Sequence, residues 1–184
     1  MANSESTKLR LALELKRQAR TMPLRRIKIS ELCTACGLDR RTFYYHFRDV
    51  YDLTAWVYNH DMDEVIARNP QANGAQVLAL FLRRLQEEGC FYRRALAEDS
   101  QNSLGRHFLS RNIQSYDAAY QQKSGGETIP PEAFFAIRYH CFGALGMVRR
   151  WLFDNCVPGP EELAEHLIAN MPPTIRWLYG LPER

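Results

Sequence analysis

Apolar residues recur along almost the whole chain at spacings of three and four, the period of a helix with one buried side. Nowhere do they alternate as a half-buried strand requires. The first such stretch, residues 6–21, sets Leu9, Ala12, Leu13 and Leu15 on a buried side and Lys8, Arg10, Arg17 and Arg20 on a wet one, and Pro23 stops it. A short second helix is predicted over residues 29–36, ending at Gly37, the residue suited to a left-handed C-terminal turn. Asp39 then caps a third helix that reaches Phe47. Asp49 opens a fourth, with Asp52 at the reciprocal capping position, and Leu53, Trp56, Val57, Asp61 and Val65 carry it to Arg68. The Asn69-Pro70 step and the polar residues 71–74 end it.

Further helices are predicted over residues 75–88, 91–97, 103–122, 131–154 and 160–170, with a loop at 123–130 and a final turn near 174–179. The chain is therefore all-α, with about nine helices. It divides into an N-terminal three-helix unit, residues 1–50, and a helical remainder, residues 51–184, the linking fourth helix running up to a boundary at residues 69–74. The helix at 131–154 has no wet face: Phe134, Phe135, Ile137, Tyr139, Phe142, Leu145, Val148, Trp151 and Leu152 surround it. Such a helix must be covered twice, once by its own subunit and once by a second. Ala136, Gly143, Ala144 and Gly146 let backbones approach, and the last helix adds Leu163, Leu167, Ile168 and Met171. A four-helix bundle across a twofold axis is expected, with Phe142, Leu145, Arg149, Leu163, Leu167 and Met171 in it. Burial within one larger monomer is the competing reading.

Charge changes the picture only when it is divided. The net +3 resolves into eleven basic and six acidic residues in positions 1–60, a surplus of +5, and a deficit of −2 over the rest. A polyanion is the natural partner of the N-terminal third. The segment from Leu32 to Phe47 gives that charge a shape. Two short helices joined at Gly37 describe a helix-turn-helix. On its third helix Phe43 and Phe47 share one side, with Leu38 just before it; Arg41, Thr42 and Tyr45 take the other, flanked by Tyr44 and His46. A helix of about eight residues, roughly 12 Å long, fits end-on into a major groove. Guanidinium forks, hydroxyls and an imidazole suit phosphate oxygens and base edges.

The run from Ile27 to Leu32, Gly37-Leu38, Thr42-Phe43-Tyr44-Tyr45-His46-Phe47 and the following Asp49 and Asp52-Leu53 resembles the DNA-binding domain of TetR/AcrR-type regulators, over about residues 7–60. The resemblance implies an all-helical homodimeric repressor. Each subunit would offer one helix-turn-helix to half of a near-palindromic double-stranded operator, and a small ligand or a partner protein would act on the C-terminal domain. It places Arg40, Arg41, Thr42 and Tyr44 near bases or phosphates, Tyr45 and His46 near phosphates, and Lys28 and Ser30 near the backbone. Two positions depart from the family pattern. Lys28 stands where Thr or Ser usually caps the second helix, so that cap is weakened or shifted to Ser30. Val50 stands where a lysine commonly reaches a phosphate, leaving Arg48 to compensate. Further on, Phe91 to Leu96 and Ser100-Gln101-Asn102-Ser103 resemble the C-terminal domain of regulators related to the dihydroxyacetone-kinase operon activator, some of which work with a protein partner.

Other chemistry is sparse. Cys33 and Cys36 have metal or redox spacing, but no second pair of ligands follows, and packing is their expected role over a thiol sensor. Five cysteines at irregular spacings and a polar start without an export core lead to the expectation of a cytoplasmic protein. The longest apolar run, residues 139–148, is half a membrane span and is bracketed by arginines. His60, His107, His140 and His166 are scattered, so no metal or cofactor is expected. A ligand cavity is expected between the fourth helix and those after Ala75, lined by Trp56, Phe81, Tyr92, Phe108, Asn112, Tyr116, Tyr139 and His140; aromatics at helical spacing otherwise serve as core. No phosphate-binding glycine loop, nucleophile elbow or paired metal ligands suggest an enzyme. The alternative of a different class is a helical co-regulator acting mainly through protein–protein contacts.

Overall fold

Proline, glycine and capping side chains set most of the helix ends. The computed structural model describes residues 2–98 and 103–181; the Ser100-Gln101-Asn102 run lies outside them. Ten α-helices follow one another, with no strand among the described residues: α1 (Ala2–Gln18), α2 (Ile29–Ala35), α3 (Arg40–His46), α4 (Val50–Arg68), α5 (Gly74–Glu87), α6 (Gly89–Ala97), α7 (Leu104–Ser124), α8 (Pro131–Phe153), α9 (Pro160–Ala169) and α10 (Pro173–Leu178). Pro131, Pro160 and Pro173 each occupy the first helical position, where the missing N–H is not needed. Asn73 and Gln76 close a reciprocal capping box at α5.

Several ends differ from the sequence expectation. The predicted terminal turn is a full helix, α10, because Ile175 buries completely against Ile137 and Cys141 of α8. A 3-10 turn, Leu24–Arg26, precedes α2 because Pro23 fixes an extended entry and Leu24 buries. In α1 the buried line is Leu11, Ala12 and Leu15, continued by Ala19 just past its end, while Leu13 faces solvent. Leu13 sits about 200° round the helix from Leu11, so the two cannot both face the core. At the start of α2 Lys28 is the cap residue without a side-chain cap bond, and Ser30 lies inside the first turn, so the cap does not shift to Ser30.

One continuous core runs from Leu11 of α1 through Phe43, Leu53, Phe81 and Tyr92 to Leu152 and Leu167. The most extensive helix pairing is α5 with α9, and α7 lies along α8. This corrects the expected bundle. Leu163 and Leu167 of α9 are buried inside their own subunit, packed with α5, and Met171 is half-buried beside Ile137 and Ile175. Leu163 and Leu167 are thus taken up by the subunit's own core, and Met171 partly so. A surface helix buries its apolar stripe on the nearest core, and here α5 supplies it.

Candidate nucleic-acid interface

The turn between α2 and α3 is built from backbone bonds. The N–H of Leu38 donates to the carbonyl of Cys33 at 2.9 Å, and that of Gly37 to Thr34 at 3.1 Å. These are the paired bonds of a Schellman motif, which require a left-handed residue between helix and exit, and Gly37 has φ of +61°. Arg10 of α1 donates its guanidinium to the carbonyl of Cys36, tying the same turn to α1. Asp39 starts α3 by accepting the Thr42 N–H at 2.6 Å, and that bond holds its carboxyl below the usual carboxylate range.

Side chains then sort by face. Phe43 is fully buried and its ring lies 5.8 Å from that of Phe47, which meets Trp56 of α4 edge-on at 6.0 Å. Leu38 is half-buried against the same core. On the other side Arg40 and Arg41 are exposed, Tyr44 is 50% exposed and Tyr45 is 83% exposed. Thr42 and His46 are half-buried. Burial and the nearby Lys8 ammonium push the His46 imidazole below its ordinary pKa, so it stands neutral above pH 7 as a donor and acceptor. The Arg40 guanidinium lies 5.9 Å from the Tyr44 ring centroid and 3.4 Å from its hydroxyl, fixing both in one outward arrangement.

Four of the nine expected contact residues line one groove of about 590 Å³: Lys28, Ser30, Arg40 and Tyr44. Arg41 and Tyr45 project from α3 beside it, and Arg48 is exposed at the α3–α4 turn, bound to Asp52 at 3.3 Å. Val50 is buried, and Arg48 is the exposed cation of that turn. The groove also contains Arg25, which the sequence reading passed over. Its signal was the Arg25-Arg26 pair on a three-residue turn directly before α2, a basic step wedged between two short elements.

The expected ligand residues do not gather. Phe81 and Tyr92 are core, Tyr139 is 74% exposed on α8, Tyr116 packs on the separate α8–α10 cluster, and His140 meets the Asn170 backbone. Between Tyr58, Tyr92 and Phe108 the free volume is about 10 Å³, less than a ligand needs. Tyr92 donates to Asp61 at 2.5 Å, and burial raises its pKa well above the ordinary value. Asn112 bonds the Phe108 carbonyl of its own helix at 2.8 Å. Trp56 stacks on His60 at 4.8 Å and reaches a different cleft, lined also by His46 and His107. Cys33 and Cys36 are buried, their thiols pushed up chiefly by desolvation, which suits packing. No three His, Cys, Asp or Glu side chains cluster for a metal among the described residues, and no described helix is long and apolar enough to cross a membrane.

The outer side of α8 is what remains uncovered. Phe135, Tyr139, Phe142, Gly146, Arg149 and Phe153 follow spacings of four and three, and all six are exposed, the first three at 71%, 74% and 53%. Of the expected interface residues, Phe142 and Arg149 fall on this seam and Leu145 is half-buried beside it.

Three comparisons bear on this arrangement. Residues 73–172 match a TetR-type family described as a transcriptional regulator C-terminal region. The chain is 32% identical over 74 residues to the HTH-type dhaKLM operon transcriptional activator DhaS of Lactococcus lactis, a match spanning 40% of this chain and 40% of that protein's length. Among solved structures, the dihydroxyacetone kinase operon activator DhaS superposes with a TM-score of 0.63 at 20% identity, covering 96% of this chain and 98% of that one. A tetR-family transcriptional regulator from Streptomyces coelicolor gives 0.53 at 18% identity, over 96% and 83%. At those identities the two structures speak for the fold.

Proposed function

The chain belongs to the TetR family of transcriptional regulators, and from that premise we propose that it binds a near-palindromic DNA operator as a homodimer, inserting α3 of each subunit into the major groove. It is a regulator and not an enzyme. The observation that carries the proposal is the division of α3: one side fully buried through Phe43, the other projecting Arg41, Tyr44 and Tyr45. A seven-residue helix is about 10 Å long and enters a groove about 12 Å wide. Arg40, Arg41, Thr42 and Tyr44 take base edges or phosphates. Lys28, Ser30, Tyr45, His46 and Arg48 take phosphates, and Arg25 joins them.

The homodimer rests on the α8 seam, whose spacing of four and three is that of two helices packing side by side, with Gly146 leaving room at its middle. Residues 1–50 act as the DNA-binding unit and residues 51–184 as the regulatory and dimerisation unit, working without a metal or cofactor in the cytoplasm. A dimer that occupies an operator excludes other proteins from it, so repression is the proposed mode, relieved by a small ligand or partner protein.

Selection from a random duplex library followed by mobility shift tests this. A palindromic site should emerge, with affinity falling steeply as salt rises. Arg41→Ala and Tyr45→Ala should each lower affinity about fivefold to a hundredfold, the usual range for losing one groove contact, with the dimer intact. No preferred site, or unchanged affinity in both variants, refutes the proposal.

A further inference from the structure

A second cleft, of about 520 Å³, opens where the helix-turn-helix meets the rest of the chain. Lys8 of α1 and Arg48 of the α3–α4 turn stand on its head side; Arg106, His107 and Ser110 of α7 stand on the other, with Trp56 of α4 in its wall. At the back α7 is fastened to α4: the His107 imidazole meets the Asn59 amide oxygen at 3.1 Å, Arg111 donates to the same oxygen, and Arg111 pairs with Asp63 at 3.4 Å.

The cleft's acids are already engaged. Asp49 accepts the Asp52 N–H at 2.8 Å, and Asp52 accepts the Arg48 N–H at 3.0 Å and its guanidinium at 3.3 Å. The cations are less satisfied. Lys8 has Glu5 at 3.9 Å and the Trp56 ring at 5.9 Å, and the Arg106 guanidinium has no carboxylate partner among the described residues. Like charges on opposing walls, with hydroxyl and imidazole groups between them, describe a binding place for a small anion.

We propose that this cleft binds a small hydroxylated anion bearing a phosphate or carboxylate head, held between Arg106 and Lys8. The DNA backbone does not account for the site. Asn59 lies nine residues along α4 from its first residue, about 14 Å behind the turn that faces the duplex, and Ser110 lines the same deep end. A ligand there touches Arg48 and lies against His46, so it draws two phosphate-contacting side chains away from DNA and lowers operator affinity. That consequence rests on the operator-binding reading; the site does not.

Trp56 supplies the reporter. The full-length protein is titrated with inorganic phosphate in one arm and citrate in the other, at ionic strength held constant with chloride, and tryptophan emission is followed. At least one anion should give a saturable change that Trp56→Phe abolishes. Arg106→Gln should raise half-saturation about tenfold, as expected for one lost charge-assisted hydrogen bond. Without added anion, Arg106→Gln should bind the selected duplex like the parent protein, and the anion should weaken the parent's binding but not the variant's. No saturable response to either anion, or an unchanged response in Arg106→Gln, overturns the proposal. So does a loss of duplex affinity in Arg106→Gln alone, which would give that arginine to the DNA backbone. A saturable, Arg106-dependent response in a protein that selects no duplex upholds the site and removes only its link to DNA.

Discussion

Replacing Tyr92 by phenylalanine removes one oxygen from the interior and leaves its shape unchanged. That oxygen donates to Asp61 at 2.5 Å, and Asp61 also receives the Lys16 ammonium at 2.9 and 3.1 Å. Asp61 and Tyr92 are both buried, and Lys16 reaches the surface only beside Glu88, at 3.5 Å. The network joins α1, α4 and α6 through one carboxylate. A hydrogen bond to a charged acceptor contributes roughly 1.5–3 kcal/mol, and Asp61 keeps its lysine in the variant, so Tyr92→Phe should cost about 2 kcal/mol. In a chain of this length that is about 4–8 °C in Tm. Asp61→Asn should cost more, because it leaves Lys16 with only the longer Glu88 contact. Urea denaturation followed by circular dichroism, at one fixed protein concentration, reads all three variants, the double replacement included. Because Tyr92→Phe removes the bond that Asp61→Asn strips of its charge, the double variant should lose less than their sum by about 1 kcal/mol. Additivity within about 0.3 kcal/mol, or an unchanged midpoint in Tyr92→Phe, refutes the network as a structural tie.

Two further outcomes follow from the same structure. Phe142→Glu puts a charge in the middle of the α8 seam while leaving the subunit's own core untouched; sedimentation should show monomers, with operator affinity falling, and a persistent dimer would move the interface elsewhere. His46, His107 and His140 all have pKa values lowered mainly by burial. Above the unfolded value of about 6.5 both states are neutral; below it the unfolded chain binds protons that the folded chain resists, so stability is lost as pH falls. The urea midpoint should decline between about pH 7 and pH 5, and less in His107→Gln; a flat profile would contradict the burial.

Local signals in the sequence were enough for the helix-turn-helix. Gly37, Asp39 and Asp49 act within a few residues of themselves, and each sets a helix end where its chemistry predicts one. The faces of α3 follow from periodicity because the helix is short and only one side can reach α1 and α4. Periodicity fails where two surfaces compete for the same stripe. Leu163 and Leu167 fit a partner's core as well as their own subunit's, and only the placement of α5 decides between them. It fails again for aromatics inside the body: Phe81, Tyr92 and Phe108 carry the pattern of a pocket or of a filled core, and the filled core is what the packing makes. The anion cleft left no local signal at all, since Lys8, Trp56 and Arg106 meet only through tertiary contact.

The way a change in the body reaches α3 is limited by how few rigid connections exist. Helix α4 is the main one: 19 residues, about 28 Å, capped at its head end by Asp49 and pinned in its middle by Asp61. A second connection runs through the end of α6, where Glu98 meets Arg25 at 3.5 Å and Arg94 donates to the Arg20 carbonyl at 3.1 Å. Arg25 lines the groove beside α3, so on the proposed operator contacts Glu98 and a DNA phosphate would compete for its guanidinium. Both are anions and Arg25 is exposed, so the pair costs little to break and exchange is easy. A displacement of α6 that withdraws Glu98 frees a cation for DNA, whereas one that tightens the pair removes it. On the operator-binding proposal, the same short segment would give the body a grip on affinity through charge, separate from the mechanical lever of α4.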